Sequence, residues 1–291
     1  MNPTSYDALA RWQSAAGEGP LIRGRRAAGG GATIHFLSGN GFAGGVYWPM
    51  LQNFLPQYGL FTHDIEGHGA SDAAPNYSGT GKVMRRIPLV MAEQGLSGTP
   101  LIGMGHSYGG ALTLAVAARN PGLFRALVLL DPILLPPPAW WSLRLWSRFG
   151  RNPMAQGARR RRDRWDSRDE VLERLRGRGI YAGWTEEALA CFADYATRDA
   201  DGGRVLCCPR EIEAQIFEQP VYPWRLLPKI EVPILFLRGA QSYSFFSWAE
   251  RLARRANPRV VTRQIAGGHC FMQQDPRAAY AAVMEFLKAQ L

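Results

Sequence analysis

Apolar and polar residues follow two distinct patterns along the chain. Short apolar runs predict buried strands, and longer stretches with helical spacing separate them. The predicted strands are 33–37, 60–65, 101–104, 126–130, 234–237 and 260–265, with a weaker edge strand at 20–26. The predicted helices are 46–54, 81–94, 107–119, 246–256 and 276–289. This alternation predicts an α/β fold with a mostly parallel central sheet covered by helices on both faces.

The alternation stops after Asp131. Pro132 and the three prolines at 136–138 end the preceding strand, because proline cannot donate to a central ladder. A long stretch of mostly helical spacing, rich in Trp and Arg, follows before strand character returns near 231–233. We therefore predict a core formed by residues 1–131 and 229–291, interrupted by a helical cap at 132–228. Such a cap would lie over the carboxyl ends of the strands, where open α/β sheets bind ligands.

Composition narrows the class of protein. The 291 residues are 46% hydrophobic and 20% charged, which suits one α/β domain with an insertion or two small domains. No apolar run has the length of a membrane span, and the first residues do not resemble a secretion signal. The four cysteines include no Cys-x-x-Cys pair, which argues against a disulfide framework or a zinc site. We predict a cytoplasmic protein without a membrane span or a metal.

The formal charge of +10 is concentrated in one region. The segment 139–178 holds twelve Arg against five Asp and Glu, including the arginine-rich run 159–164. That run would spread around a helix, and no nucleic-acid-binding motif accompanies it. We interpret it as a solvated helix face, with contact to an anionic surface or acidic ligand as the alternative. No nucleic-acid partner is predicted.

The strongest indication of chemistry is the segment 105–110, Gly-His-Ser-Tyr-Gly-Gly. It contains G-x-S-x-G between a predicted strand and a predicted helix, which is the context of a nucleophile elbow. The sharp turn needs small residues two positions before and after the serine, and Gly105 and Gly109 meet that need. Ser107 is therefore a candidate nucleophile beside the Tyr108 amide, with a chance Gly-Ser-Gly turn as the alternative.

Three further segments support that interpretation. They are 37–42 (Leu-Ser-Gly-Asn-Gly-Phe), 64–71 (Asp-Ile-Glu-Gly-His-Gly-Ala-Ser) and 267–276, which begins Gly-Gly-His. Together with the elbow they resemble the α/β-hydrolase fold superfamily, in its serine hydrolase or esterase branch with a helical cap after the sixth core strand. The likeness lies in the H-G-x-x loop, the D-x-x-G-x-G-x-S turn and the G-G-H segment. Ser38 stands where the first of these usually has His.

A serine hydroxyl needs a base to act as a nucleophile at neutral pH, and imidazole titrates in a suitable range. We predict His269 as that base, because it lies between the last strand and the last helix. The remaining histidines occupy predicted strands, the glycine turn or the position before the nucleophile: His35, His63, His68 and His106.

An oxyanion formed at the substrate carbonyl needs two backbone donors. We predict the amide of Tyr108 and a second amide from the glycine-rich loop, where the backbone can approach a substrate closely. Asn40 is preferred for the second donor, with Gly41 as the alternative. The Asn40 side chain is a further candidate donor.

The acid partner of His269 departs from the family's usual pattern. Members usually carry an Asp in a G-x-x-D segment after the seventh strand, but the segment 239–244 holds no carboxylate. Asp131, at the end of the sixth strand, resembles the acid of a family subset and is our candidate. A purely turn-capping Asp131, a dyad without an acid, and three acids of the insertion stay open as alternatives. Those three are Asp199, Asp201 and Glu211.

Large aromatic side chains suggest where an apolar substrate binds. We predict that Phe42, Trp140, Phe245 and Phe246 line the pocket, with core packing as the alternative for each tryptophan of the insertion. The resemblance implies a serine hydrolase that cleaves a carboxylic ester or related acyl compound through an acyl-enzyme on Ser107, without a cofactor. An acyltransferase, a C–C bond hydrolase and a non-catalytic ligand-binding relative are the alternatives. No oligomeric state is predicted.

Overall fold

The computed structural model describes residues 5–291, which form one large sheet, one small sheet and surrounding helices. The strands are β1 (Ala10–Ser14), β2 (Ile22–Ala27), β3 (Thr33–Leu37), β4 (Gly59–Asp64), β5 (Leu101–His106), β6 (Ala126–Leu130), β7 (Arg164–Trp165), β8 (Thr197–Ala200), β9 (Gly203–Leu206), β10 (Ile234–Gly239) and β11 (Val260–Ile265). The helices are α1 (Trp48–Leu51), α2 (Thr80–Glu93), α3 (Ser107–Arg119), α4 (Pro137–Arg148), α5 (Pro153–Arg160), α6 (Arg168–Leu175), α7 (Glu186–Tyr195), α8 (Arg210–Glu218), α9 (Phe245–Ala256), α10 (Phe271–Gln274) and α11 (Pro276–Gln290).

The large sheet has eight strands in the order β1-β2-β4-β3-β5-β6-β10-β11. β2 is antiparallel to β1 and β4, and the pairs from β4 to β11 are parallel. Alternate residues of β6 face opposite layers: Val128 joins the core under α1 and α11, whereas Leu127 and Leu129 join the core under α2, α3 and α9. The predicted α/β class, with helices on both faces of a mostly parallel sheet, is confirmed.

The carboxyl ends of the parallel strands bring the predicted site residues to one edge of the sheet. Asn40 follows β3, Ser107 follows β5, Asp131 follows β6 and His269 follows β11. Because these strands run in the same direction, their following loops share that edge. The topology therefore gathers residues that are far apart in sequence.

The predicted helix 46–54 is divided into three short pieces. A 3₁₀ turn at Gly44–Tyr47 leads into α1, and a second 3₁₀ turn covers Gln52–Phe54. Pro49 at the start of α1 has no amide hydrogen to continue the preceding turn. The edge strand predicted at 20–26 is β2, and its antiparallel partner β1 was not predicted.

The segment 132–228 lies between β6 and β10, which pair directly in the sheet. It contains α4 to α8, in agreement with the predicted helical character. It also contains a three-stranded antiparallel sheet, β7-β9-β8, that the sequence analysis missed. Strands of two to four residues are too short to show a clear alternation. The division into core and cap stays a prediction, and its first four residues lie outside the described range.

The arginine-rich run 159–164 does not form one solvated helix face. α5 ends at Arg160, and the chain then extends into β7. Most of the run binds carboxylates of the same insertion, so the interpretation as a free helix face needs correction. The ion pairs are Arg159 with Glu211 and Glu218, Arg161 with Glu213, Arg162 with Glu170, and Arg164 with Asp201.

All four cysteines are free thiols. Across residues 5–291, no cluster of three His, Cys, Asp or Glu side chains has an arrangement that could hold a metal ion. None of the helices in that range combines the length and apolarity needed to cross a bilayer. The cytoplasmic location stays a prediction.

Two buried histidines sit side by side on β3 and β4. His35 Nε2 lies 3.2 Å from His63 Nδ1, and the Nδ1 atom of His35 has no hydrogen-bond partner among the described residues. Burial lowers the pKa of His35 from 6.5 to about 3. Between these pH values the unfolded chain binds a proton that the folded chain excludes. This contribution to stability is complete above pH 6.5 and is lost as the pH falls toward 3.

We expect the variant His35→Gln to tolerate acid better than the wild type. Between about pH 8 and about pH 5, the free energy of unfolding should fall by about 2 kcal/mol more in the wild type, because only the wild type must bury this neutral imidazole. Urea unfolding at both pH values measures the difference. Equal falls in the two proteins would contradict the prediction.

Candidate active site

The elbow holds Ser107 in a strained conformation at the start of α3. Its φ is +53°, in the left-handed region that L-residues seldom occupy. A Cβ atom on Gly105 would lie 2.5 Å from the Gly109 carbonyl carbon, and one on Gly109 would lie 2.3 Å from the Leu37 carbonyl oxygen. Both positions therefore require glycine for the turn to close.

His269 connects Ser107 to a buried carboxylate. Its Nε2 atom lies 3.0 Å from Ser107 Oγ, and its Nδ1 atom lies 2.8 Å from Asp131 Oδ2. The Asp131 side chain is fully buried, whereas the His269 side chain is 11% exposed. A carboxylate in contact with Nδ1 favours the tautomer that leaves Nε2 free to accept a proton.

Asp131 is held by the loop that follows β10. Its φ is +42°, and its Oδ1 atom accepts a hydrogen bond of 3.2 Å from the Gly239 amide. The Ser242 hydroxyl donates to Oδ2, the same oxygen that contacts His269. Ser242 occupies the last position of the segment Gly239-Ala240-Gln241-Ser242, which aligns with the Asp of the G-x-x-D pattern that the resemblance implies. These donors stabilise the buried negative charge.

The three alternative acids of the insertion bind arginines instead of His269. Each forms an ion pair within the segment 132–228, and none contacts the imidazole among the described residues. The pairs are Asp199 with Arg204, Asp201 with Arg164, and Glu211 with Arg159.

Two backbone amides near Ser107 are without partners in the described chain. The Tyr108 amide belongs to the first turn of α3, where helix donors have no intrahelical acceptor. The Asn40 amide also donates no hydrogen bond within residues 5–291. In contrast, the Gly41 amide donates to His68 Nε2 at 2.9 Å. The Gly41 amide is therefore already bound, whereas the Asn40 amide is free to donate to a substrate.

The loop after β3 is also tied to the insertion. The Asn40 side chain donates to the Glu213 carbonyl oxygen on α8 at 2.9 Å, which uses one of its two N–H donors. Its role as an extra donor to the oxyanion stays a prediction. Glu213 in turn binds Arg161 at 2.7 Å, and Arg161 donates to the Tyr181 hydroxyl at 2.9 Å. Through these contacts α8 is bound to the predicted oxyanion loop.

His106 joins the loops on either side of Ser107. Its Nε2 atom donates to the His269 carbonyl oxygen at 2.9 Å, so Nδ1 is the acceptor from the Tyr47 hydroxyl at 2.7 Å. The same Tyr47 oxygen accepts from the Gly39 amide at 3.0 Å. Burial and the neighbouring His269 keep the pKa of His106 well below its usual value, so this imidazole stays neutral.

A cavity of about 230 Å³ adjoins Ser107, and most of its wall is apolar. Core and insertion both contribute to the wall. The lining residues are Asn40, Ser107, Tyr108, Ala111, Ile133, Leu135, Leu143, Met154, Ile216, Phe217, Pro220, Val221, Tyr243 and Phe245.

Of the four aromatic residues predicted to line the pocket, the structure brings only Phe245 to this cavity. Phe42 is buried beside His106 in the core, and Phe246 stacks on the His269 ring at 5.8 Å. Trp140 does not line the cavity and donates to the carbonyl oxygen of Pro220, a lining residue, at 3.0 Å. The rest of the wall combines aliphatic side chains with three aromatic ones that were not predicted to line it, Tyr108, Phe217 and Tyr243.

The sheet topology and the elbow together define an α/β-hydrolase fold. The sequence profile of the alpha/beta hydrolase family matches residues 36–283, which is most of the chain. The chain therefore belongs to the alpha/beta hydrolase family.

Curated relatives match over shorter stretches. A type I acyl-CoA thioesterase of Penicillium roqueforti is 34% identical over 103 residues, which are 34% of this chain and 22% of the relative. The lipase LipV of Mycobacterium tuberculosis is 34% identical over 100 residues, which are 34% of this chain and 36% of the relative. The matches thus span little more than a third of these relatives at most. The crystal structure of E-2-(acetamidomethylene)succinate hydrolase has a TM-score of 0.78 at 19% identity, covering 96% of this chain and 99% of its own, and shows the same fold.

Proposed function

We propose that this protein is a serine hydrolase that cleaves a carboxylic ester or related acyl compound through an acyl-enzyme on Ser107. One observation carries the proposal. A continuous line of hydrogen-bonding contacts runs from Asp131 through His269 to Ser107, on the wall of an apolar cavity. This arrangement suits acyl transfer to a serine hydroxyl.

In the first half of the reaction, Ser107 Oγ attacks the carbonyl carbon of the ester while His269 Nε2 takes the hydroxyl proton. Asp131 holds the imidazole and stabilises its positive charge. The tetrahedral intermediate then collapses, its C–O bond to the alcohol breaks, and the imidazolium gives its proton to the departing alkoxide. In the second half, His269 takes a proton from water while the hydroxide oxygen attacks the acyl carbon. The bond from that carbon to Ser107 Oγ then breaks, and the imidazolium returns the proton to Oγ as the acid leaves. The proposed steps use no metal or organic cofactor.

The amides of Tyr108 and Asn40 are the proposed donors to the oxyanion. Both are free within the described chain, and both belong to residues that line the cavity beside Ser107. Preorganised donors of this kind stabilise the charge that develops on the carbonyl oxygen. Gly41 is set aside because its amide is already bound to His68.

The apolar wall of the cavity suggests that the enzyme binds the substrate through an apolar acyl group. A volume of about 230 Å³ leaves room for an acyl chain of several carbon atoms. The insertion supplies much of the wall, which supports its proposed role as a cap at 132–228. Its contributions include Leu135, Leu143, Met154, Ile216 and Val221. The relatives named as a lipase and an acyl-CoA thioesterase fit an acyl substrate.

A panel of p-nitrophenyl esters of increasing acyl length tests the proposal. We expect the highest kcat/KM for medium chains and an early burst of p-nitrophenol as the acyl-enzyme forms. An added alcohol or thiol that diverts the acyl group into a new ester or thioester, without free acid, would indicate a transferase. No turnover on any ester would contradict the proposed activity.

We expect Leu143→Trp to shorten the preferred acyl chain. Leu143 lines the cavity from α4, so the larger side chain would fill space that the end of a medium chain needs. The kcat/KM for the medium-chain ester should fall about tenfold or more, at the scale of a few lost methylene contacts, whereas acetyl ester hydrolysis changes little.

The matched control is Leu145→Trp, two residues further along the same helix. Leu145 is exposed and does not line the cavity. Equal losses in the two variants, or an equal loss on short and medium esters, would argue against this cavity as the acyl site.

A further inference from the structure

Helix α4 turns its apolar face outward. Trp141, Leu145 and Phe149, the residue that directly follows α4, are spaced four residues apart and therefore lie on one side of the helix axis, with Trp146 beside them. Trp141 is 65% exposed and Phe149 is 66% exposed, and no residue of α4 is buried. An amphipathic helix of a water-soluble domain normally packs its apolar side against the core. An exposed patch of this kind marks an interaction surface.

The charged residues beside this patch are all positive. Residues 132–162 include seven Arg and neither Asp nor Glu. Three of these arginines bind carboxylates elsewhere in the insertion. Arg148 and Arg151, at the end of α4 and just beyond it, form no ion pair with any residue of the described chain. The exposed aromatic side chains are thus bordered by unpaired positive charge.

We propose that this outer face of α4 docks on the surface of an anionic lipid bilayer. Its apolar members are Trp141, Leu145, Trp146 and Phe149, and Arg148 and Arg151 supply its charge. Tryptophan and phenylalanine side chains enter the boundary between head groups and acyl chains, and arginines at the same depth attract anionic head groups. The helix lies along the surface and does not cross the bilayer.

Charge decides between a bilayer and a second copy of the chain. In a two-fold dimer the same patch would face itself, so the two sets of arginines would approach one another without any acidic residue of 132–162 between them. Like charges in that position oppose association. An anionic surface satisfies both the apolar and the charged members of the patch.

The patch adjoins the cavity beside Ser107. Leu143, on the inner side of α4, and Met154, at the start of α5, both line that cavity. Met154 is itself exposed. A docked α4 would therefore hold one wall of the cavity at the lipid surface, where apolar acyl compounds are concentrated. The docking itself does not depend on the chemistry of Ser107.

Vesicle flotation with the full-length protein tests the proposal. We expect the wild type to bind vesicles of phosphatidylcholine mixed with phosphatidylglycerol, and to bind pure phosphatidylcholine vesicles at least about tenfold more weakly, because each basic residue near an anionic surface contributes to the attraction. The variant Arg148→Glu/Arg151→Glu should lose this preference and its sensitivity to salt. Trp141→Ala/Trp146→Ala/Phe149→Ala should lower binding to both kinds of vesicle.

Matched controls separate the patch from general surface effects. Leu145→Ala and Leu89→Ala remove the same atoms at positions that are 56% and 51% exposed, but Leu89 lies on α2. Arg277→Glu on α11 reverses an exposed charge outside the insertion. We expect only Leu145→Ala to weaken binding. Equal binding by wild type and both patch variants, equal losses at Leu89 and Leu145, or patch-dependent dimers in sedimentation without vesicles would each overturn the proposal.

Discussion

Replacing Ser107 with Ala is expected to lower kcat for the best p-nitrophenyl ester by about 10⁶-fold, the scale seen when a serine nucleophile is removed from a triad enzyme. The variant lacks the atom that bonds to the acyl carbon, while the free amides near the site and the cavity remain. A small rate above that of water alone should therefore persist. Stopped-flow and steady-state assays measure the loss, and a fluorophosphonate should label the wild type but not the variant.

The matched control is Ser247→Ala on α9, whose hydroxyl donates to the Ser244 carbonyl oxygen and does not contact His269. It should keep normal turnover and normal labelling. Labelling of Ser107→Ala at the wild-type rate would place the nucleophile elsewhere. Absence of labelling and turnover in the wild type would instead favour a non-catalytic relative that keeps the fold.

The elbow was predictable because its geometry depends on local contacts. A serine at positive φ between a strand and a helix leaves space only for glycine at positions 105 and 109, and the sequence shows both. The placement of Asp131 and His269 was predictable for a related reason. Both follow predicted parallel strands, so sheet topology alone brings them to the edge where Ser107 lies.

The cavity wall was not predictable in the same way. The size and hydrophobicity of a tryptophan favour its burial, but they do not indicate which part of the protein covers it. Trp140 instead donates to the Pro220 carbonyl oxygen, and aliphatic and other aromatic side chains from several elements enclose the cavity. A partial signal was present in the apolar residues that directly follow Asp131, of which Ile133 and Leu135 line the cavity.

The charge pattern shows the same limit. Arg159 and its partner Glu211 are separated by 52 residues, so the composition of the run 159–164 could not reveal that it is largely neutralised within the insertion. The dense run stabilises the insertion, and the sparser arginines near α4 carry the unpaired charge.

The contact of Ser242 with Asp131 was also not predicted. A serine at the position where the family usually carries its acid indicates only that a carboxylate is missing there. In the structure its hydroxyl donates to the Oδ2 atom of Asp131 that contacts His269. Position 242 thus contacts the same carboxylate oxygen as the imidazole, although it carries no charge. This geometry makes the choice of acid open to a direct experiment.

Asp131→Asn is expected to lower kcat by about 10⁴-fold while leaving the fold intact. The asparagine amide would donate to His269 Nδ1, which fixes the proton on Nε2 and removes the acceptor that Ser107 needs. The shape of the side chain is retained, and its oxygen can still accept from the Gly239 amide. Steady-state kinetics measure the loss, and urea unfolding checks the fold. Near-normal turnover would remove Asp131 from the mechanism and favour a Ser107–His269 dyad.

The double variant Asp131→Asn/Ser242→Asp tests whether charge at this point, and not only shape, supports His269. A carboxylate at position 242 would stand where the family usually carries its acid, next to the oxygen position that contacts Nδ1. We expect its kcat to be at least about tenfold higher than that of Asp131→Asn, because a charge-assisted hydrogen bond to the imidazolium is restored. Asp131→Asn/Ser242→Asn is the matched control and should recover nothing. Equal recovery in the two double variants would mean that polarity or packing at position 242 acts on turnover, and that a negative charge beside His269 is not what the reaction requires.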